Sequence, residues 1–285
     1  MRGVMAEVGF DGDLHEFFEF MNTDEQFYFD EAEQLIQGYR DMTDHIAELS
    51  KKLFAVFPKT EFEVRRIEPF REKSAAGGQY QSGTADGSRP GIFYANAYDI
   101  KSRPIWAMES LFLHEAIPGH HFQRSLQREN EDLPHFRRFG GYTAYTEGWG
   151  LYAESLGKEL GVYTDPYQYF GALNAELWRA IRLVVDTGIH SKEWSRQEVL
   201  DFMYANSAVR PARAIAEAER FMAIPGQALA YKIGQLRIRE IRDEAEARLG
   251  DRFDVRDFHT QILMDGPLPL SVLEAKIDDW VVSQL

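Results

Sequence analysis

The segment Leu111-Phe112-Leu113-His114-Glu115-Ala116-Ile117-Pro118-Gly119-His120-His121 constrains the fold most, because it begins as a buried helix and cannot end as one. Ahead of it, Ile105, Met108, Leu111 and Phe112 recur at helical spacing, and Pro104 suits a first helical turn. Pro118 has no amide hydrogen for the helical ladder and clashes with the carbonyl four residues back, while Gly119 tolerates dihedrals that other residues avoid. The helix must therefore break or bulge at Ile117-Pro118-Gly119, among three histidines and a glutamate. Helical irregularities of this kind often mark functional sites.

Around this break most of the chain has helical periodicity. Apolar residues from Asp24 to Phe57 (Phe27, Ala32, Leu35, Ile36, Tyr39, Met42, Ile46, Leu49, Leu53) predict one or two long amphipathic helices, closed by Pro58. Further helices are expected over about Tyr145–Leu160, Pro166–Asp186 and Pro211–Leu249, the last interrupted near Pro225-Gly226, with a short helix and a final amphipathic segment through Trp280. Between residues 61 and 100 the texture changes. Phe62, Val64 and Ile67 alternate as in a strand, and Ile92-Phe93-Tyr94-Ala95-Asn96 is strand-like between turn formers. The expected fold is mainly α with a small β-sheet, in one domain spanning 1–285. If the second strand lies at an edge, Tyr94 and Asn96 would pair with an extended peptide; the plain alternative is a connecting hairpin.

Composition narrows the chemistry. There is no cysteine, so a metal here must use nitrogen and oxygen ligands. A formal charge of −14 disfavours nucleic acid, and the short basic clusters are interleaved with acids. No apolar signal-peptide core opens the chain and no run reaches the ~18 apolar residues of a membrane span, which reads as a soluble, cytoplasmic protein without a membrane partner.

Histidine and carboxylate are zinc ligands, and a glutamate beside the first histidine is where a zinc hydrolase keeps its general base. On a regular helix His114 and His120 would stand about 120° apart, and His114 and His121 about 10 Å apart along the axis, so neither pair would share an ion. A break at Pro118 can return His120 beside His114; His121 is the substitute if the chain turns the other way. Glu147 in Thr146-Glu147-Gly148-Trp149, 27 residues after His120, is the candidate third ligand. Glu154, two turns further on the same face, is a candidate partner that orients a histidine, with a surface salt bridge as the alternative. One zinc ion per chain is the implied cofactor.

Asp86-Gly87-Ser88-Arg89-Pro90-Gly91, the segment His114 to Gln123, Thr146-Glu147-Gly148-Trp149-Gly150-Leu151-Tyr152, Leu183 to His190 and Pro225 to Lys232 together resemble the bacterial family known as domain of unknown function 885. Its members are similar to gluzincin metallopeptidases, and the match corresponds to the C-terminal half of typical members. The resemblance implies a mostly helical, thermolysin-clan fold akin to the oligopeptidases, zinc, and peptide hydrolysis. In the related dipeptidyl peptidase III one extra residue precedes a Gly-His pair; here there are two, which favours His120 over His121.

The expected reaction is zinc-dependent hydrolysis of a peptide substrate, with Glu115 as base and Tyr231, then His190 and His259, as candidate donors to the oxyanion. For Tyr231 the alternative is core packing; for His190, four residues after Asp186, it is a helix C-terminal position favoured by the dipole. Arg182, Arg220 and Lys232 are candidates to grip a substrate carboxylate, as in a carboxypeptidase or dipeptidyl carboxypeptidase, or are surface cations. A zinc hydrolase of non-peptide amides and a catalytically silent binding module remain as alternatives, and a homo-oligomer is left open.

Overall fold

Periodic apolar stripes become helices over most of the computed structural model, which describes residues 1–285. In chain order the elements are α1 (Arg2–Glu7), α2 (Leu14–Thr23), α3 (Ala32–Ser50), β1 (Phe62–Arg66), α4 (Pro69–Glu72), β2 (Gly78–Gln81), β3 (Gly91–Ala95), α5 (Met108–Glu115), α6 (His120–Glu129), α7 (His135–Phe139), α8 (Thr143–Ser155), α9 (Gly157–Leu160), α10 (Pro166–Lys192), α11 (Arg196–Asn206), α12 (Pro211–Ala223), α13 (Ala230–Leu249), α14 (Val255–Leu263) and α15 (Leu270–Gln284). The fold is mainly helical with one small sheet, and no helix is long and apolar enough to cross a membrane.

Local chemistry sets several helix starts. Asp165 accepts from the Tyr167 amide at 2.9 Å ahead of Pro166, the first residue of the 27-residue α10. Ser195 and Glu198 close a capping box on α11. The long helix expected over 211–249 is divided into α12 and α13, with Gly226 at φ 79° in the connection. That backbone conformation favours glycine.

The sheet order is β1-β3-β2, with β1 parallel to β3 (Phe62 opposite Gly91) and β2 antiparallel to it (Gly78 opposite Ala95). The expectation of an edge strand at Tyr94 is therefore corrected: β3 is central, and both of its backbone edges are used. Phe93 faces the main core, 5.0 Å from the Tyr39 ring and 6.3 Å from Phe112, while Ile92 and Tyr94 pack with Ile67 on the opposite face. Asn96 lies just past the strand, buried, and its amide donates to the carbonyls of Glu72, Ala75 and Ala76. It ties down a loop and offers nothing to a substrate.

The largest core joins α3, α5, α6, α8, α13, α14 and α15, with Tyr145, Trp149 and Tyr152 of α8 fully enclosed. Smaller clusters lie between the end of α10 and α11–α12, and around α1, α2, Trp106 and Phe170. Helices α8 and α13 cross at glycine. A Cβ on Gly148 would stand 2.4 Å from the Gly234 Cα, and one on Gly234 would stand 1.9 Å from the Ala144 carbonyl oxygen. Backbone cannot yield to such contacts without separating the helices. Gly234→Ala is therefore expected to destabilise by about 1–3 kcal/mol or more, whereas Gly3→Ala, with open space around it, should not; thermal unfolding of the two variants compares them directly.

Candidate metal centre

The helix break falls where Pro118 and Gly119 require it. α5 ends at Glu115, Ala116 leaves helical geometry (φ −105°, ψ −107°), the Ile117–Pro118 peptide is cis, and α6 begins at His120. A Cβ on Gly119 would lie 2.0 Å from the His114 carbonyl oxygen and 2.3 Å from that of Leu113, so this tight reversal admits only glycine. The Trp149 indole donates to the Pro118 carbonyl at 2.9 Å, fastening the turn to α8.

Through this turn the His114 and His120 rings come within 4.7 Å of each other, nearly perpendicular. Glu147, on the first part of α8, reaches both: its Oε2 lies 3.5 Å from each Nε2. The three ligand atoms all lie within 4.8 Å of one another. Those 3.5 Å separations exceed a normal hydrogen bond. They match the ~3.4 Å spacing of ligands about 2.1 Å from one tetrahedral ion. Gly150 provides the room, since a Cβ there would meet the His114 ring at 2.6 Å. The donor set and the cradle fit a single zinc-like cation.

His114 is held from behind. Its Nδ1 bonds Glu154 Oε1 at 2.7 Å, which leaves Nε2 turned toward Glu147. The Glu154 carboxylate, fully enclosed, also takes the Ser110 hydroxyl at 2.5 Å and the Arg179 guanidinium at 3.2 Å. Burial works to raise its pKa, but Arg179, His114 and Ser110 outweigh that and hold it below the usual range. Burial also works to lower the His114 pKa and is outweighed by Glu147 and Glu154, so that it is raised to about 9. Glu147 responds in the opposite sense: burial is overcome by the two imidazoles, and its pKa is depressed. His120 keeps a buried Nδ1 with no partner. Glu115, buried beside His114 in sequence, makes no hydrogen bond through its carboxylate.

Tyr231, at the start of α13, completes this side. Its ring lies parallel to that of His114 at 6.2 Å, beneath the Arg182 guanidinium at 4.9 Å. Burial, then the Glu147 charge, pushes its phenol above the ordinary value, so it stays protonated and able to donate at neutral pH.

Other expected residues have different roles. His121 turns away from the pair, to the Tyr80 hydroxyl at 2.9 Å and the Phe62 ring at 4.5 Å, and burial lowers its pKa to about 3. As the second residue of α6 it points about 100° from His120. His190 bonds the Phe221 carbonyl at 2.9 Å near the end of α10, and Asp186 accepts from the Gly226 amide instead of orienting it. His259 is a core residue, stacked 4.5 Å from Phe54 and bonded to the Leu53 carbonyl and the Tyr152 hydroxyl. Tyr94 packs under Arg71. The three cations assigned to a substrate carboxylate each hold a protein partner: Arg182 and Arg220 share Glu217, and Lys232 bonds Glu176 at 2.5 Å. Sequence reasoning missed Ser110 and Arg179, which carry no motif, and the role of Gly150, whose signal was its place three residues after Glu147.

Comparison with known proteins agrees with this architecture. A crystal structure from Colwellia psychrerythraea, described as that of a "putative lipoprotein", superposes with a TM-score of 0.95 at 39% identity, covering 99% of this chain and 49% of that one. A second, from Shewanella oneidensis and described as a "putative lipoprotein of unknown function", superposes with a TM-score of 0.77 at 20% identity over 92% of this chain and 48% of its own, a likeness of fold. This chain thus spans about half the length of the solved structures it matches. No curated protein matches it. A family model described as "Bacterial protein of unknown function (DUF885)" matches residues 1–277, and the chain belongs to that family.

Proposed function

We propose that this chain carries the metal centre of a zinc-dependent peptide hydrolase with a thermolysin-clan, gluzincin-like arrangement. The observation that carries the reading is the convergence of His114, His120 and Glu147 across a helix break, with an unengaged glutamate directly after the first ligand. A zinc ion held by these three residues would supply Lewis acidity, polarising a carbonyl and acidifying a water molecule. Glu115 accepts the proton of the attacking water as its oxygen bonds the carbonyl carbon, and returns that proton to the amine nitrogen as the C–N bond breaks. Tyr231 donates to the developing oxyanion. Glu154 keeps His114 in the tautomer whose Nε2 is free, and Arg179 and Ser110 hold Glu154. The relative from Colwellia psychrerythraea, described as a "putative lipoprotein", favours the cell envelope over the cytoplasm as the place where this chemistry occurs.

Metal analysis of the purified chain is expected to give one zinc per chain, lost in His114→Ala; absence of zinc after incubation with the ion at neutral pH would overturn the reading. The raised His114 pKa gives the sign of the pH dependence. Below about 9 the metal-free imidazole is protonated, so zinc must displace a proton and its affinity should fall roughly tenfold for each pH unit of acidification. Competition titrations between neutral and mildly alkaline pH measure that slope. Glu115→Gln should keep its zinc and lose at least about 10²-fold in kcat on a mixed peptide library; undiminished turnover would remove Glu115 as base. Tyr231→Phe should also retain zinc, with kcat lowered about 10²–10³-fold, which steady-state kinetics reads against an unchanged metal content.

A further inference from the structure

With Arg182, Arg220 and Lys232 engaged by glutamates, the cations free to meet a ligand lie elsewhere. A cavity of about 210 Å³ opens between α6 and the start of α8. Arg124 and Arg128 line it from α6, Arg138 from α7, and Gly140, Gly141 and Thr146 from the approach to α8 and its first turn. No acidic residue lines it. In a chain of formal charge −14 that is a local reversal of the overall balance.

The arginines here are underpaired. Arg124 makes no hydrogen bond or ion pair within the protein, and Arg128 donates only to the Gly83 carbonyl, at 3.0 Å. Arg138 donates to the Arg128 carbonyl at 2.5 Å and reaches only the exposed Glu131, at 3.6 Å. The Phe139 ring lies 5.7 Å from the Arg128 guanidinium and 5.5 Å from that of Arg138, which holds both in place. Burial, then the Arg124 charge, lowers the Arg128 pKa, as expected where like charges crowd without a counter-ion. Thr146 is only 9% exposed, and its side chain lines the cavity without a hydrogen-bond partner. The 13-residue α8 begins beside it with no side-chain cap and no acidic residue in its first turn, so its positive end is uncompensated.

The place of the cavity relates it to the metal centre. Arg124 follows His120 by four residues on α6, hence on the same face and about 6 Å along the axis. Thr146 directly precedes Glu147. One or two extended peptide residues, at roughly 3.3–3.6 Å each, cover that distance.

We propose that this pocket is an anion subsite of the same cleft, which receives a carboxylate of the peptide through Arg124 and Arg128, with the Thr146 hydroxyl as a neutral donor. The peptide as ligand rests on the zinc-peptidase reading; the preference for an anion rests on the pocket's own charges. The carboxylate comes either from the peptide C-terminus or from an acidic side chain.

Fluorescence anisotropy of alanine-based peptides, labelled at the N-terminus with a neutral fluorophore, tests this on Glu115→Gln protein with and without zinc. One peptide has a free C-terminal carboxylate, one is amidated and carries a single glutamate, and one is an all-alanine amide. At least one carboxylate peptide is expected to bind about tenfold tighter than the all-alanine amide, and which one does so identifies the source. Adding Arg124→Gln should remove that preference at unchanged zinc content, and Arg124→Lys should restore part of it. Because Arg124 supports no internal contact, its replacement should leave the thermal midpoint unaltered. Salt offers a measurement that needs no arginine variant: the preference should shrink between about 50 and about 500 mM sodium chloride. Equal binding of all three peptides, or a preference that survives Arg124→Gln, overturns the subsite. A chain without zinc that keeps an Arg124-dependent preference would remove the peptidase reading and leave the pocket standing; zinc without any preference does the reverse.

Discussion

The hydrogen bond between Glu154 and His114 is the contact on which the His114–His120–Glu147 cluster depends. It joins α8 to α5 inside the main core, where an unpaired carboxylate and imidazole would each be costly to bury. Because Ser110 and Arg179 take up the remaining capacity of Glu154, the carboxylate stays charged while enclosed. The imidazole is thereby fixed with one nitrogen inward and the other facing Glu147. Helices α5 and α8 thus carry two of the three clustered residues, His114 and Glu147, with Ser110 and Glu154 behind them, while His120 comes from α6 and Arg179 from α10. The glycine crossing of α8 and α13 then brings Tyr231 alongside His114.

Glycine recurs at the close approaches around this cluster. Gly119 lets the chain reverse against the carbonyls of Leu113 and His114, Gly150 leaves space for the imidazole, and Gly148 with Gly234 lets two helices touch through their backbones. Each of these lies within a few residues of a ligand or of Tyr231. Selection of glycine at these positions is a steric matter, since only Gly226 among the glycines near this site needs a positive φ.

Much of this is legible in the sequence. Pro118 and Gly119 required a break, and a break was the one way for His114 and His120 to face a common ion; the two rings do meet. Glu147 is a candidate because the 27 residues after His120 allow a loop and a return pass, and it reaches both imidazoles; Glu154, read as either an orienting partner or a surface salt bridge, is buried against His114. The roles given to His190, His259, Asn96 and the three paired cations did not emerge, because a polar residue's role depends on what lies opposite it. His259 looks like a functional histidine in the sequence, yet Phe54, Leu53 and Tyr152 enclose it. Arg182 looks like a free cation until Glu217 of α12 meets it.

By itself, the sequence determined a mainly helical chain, an interruption after Glu115, nitrogen and oxygen as the donors open to a metal, and a formal net charge of −14. These are local or compositional properties, set by periodicity, by the missing proline amide and by the absence of cysteine. Tertiary structure decided which way the broken helix turned, setting the His120 ring against His114 and the His121 ring against Tyr80. It also set β3 in the middle of its sheet and separated Arg182 and Arg220, which share Glu217, from Arg124 and Arg128 at the α6–α8 cavity, which have no carboxylate partner. Those outcomes depend on contacts between residues far apart in the chain, where burial and charge pairing are settled only once the helices have packed.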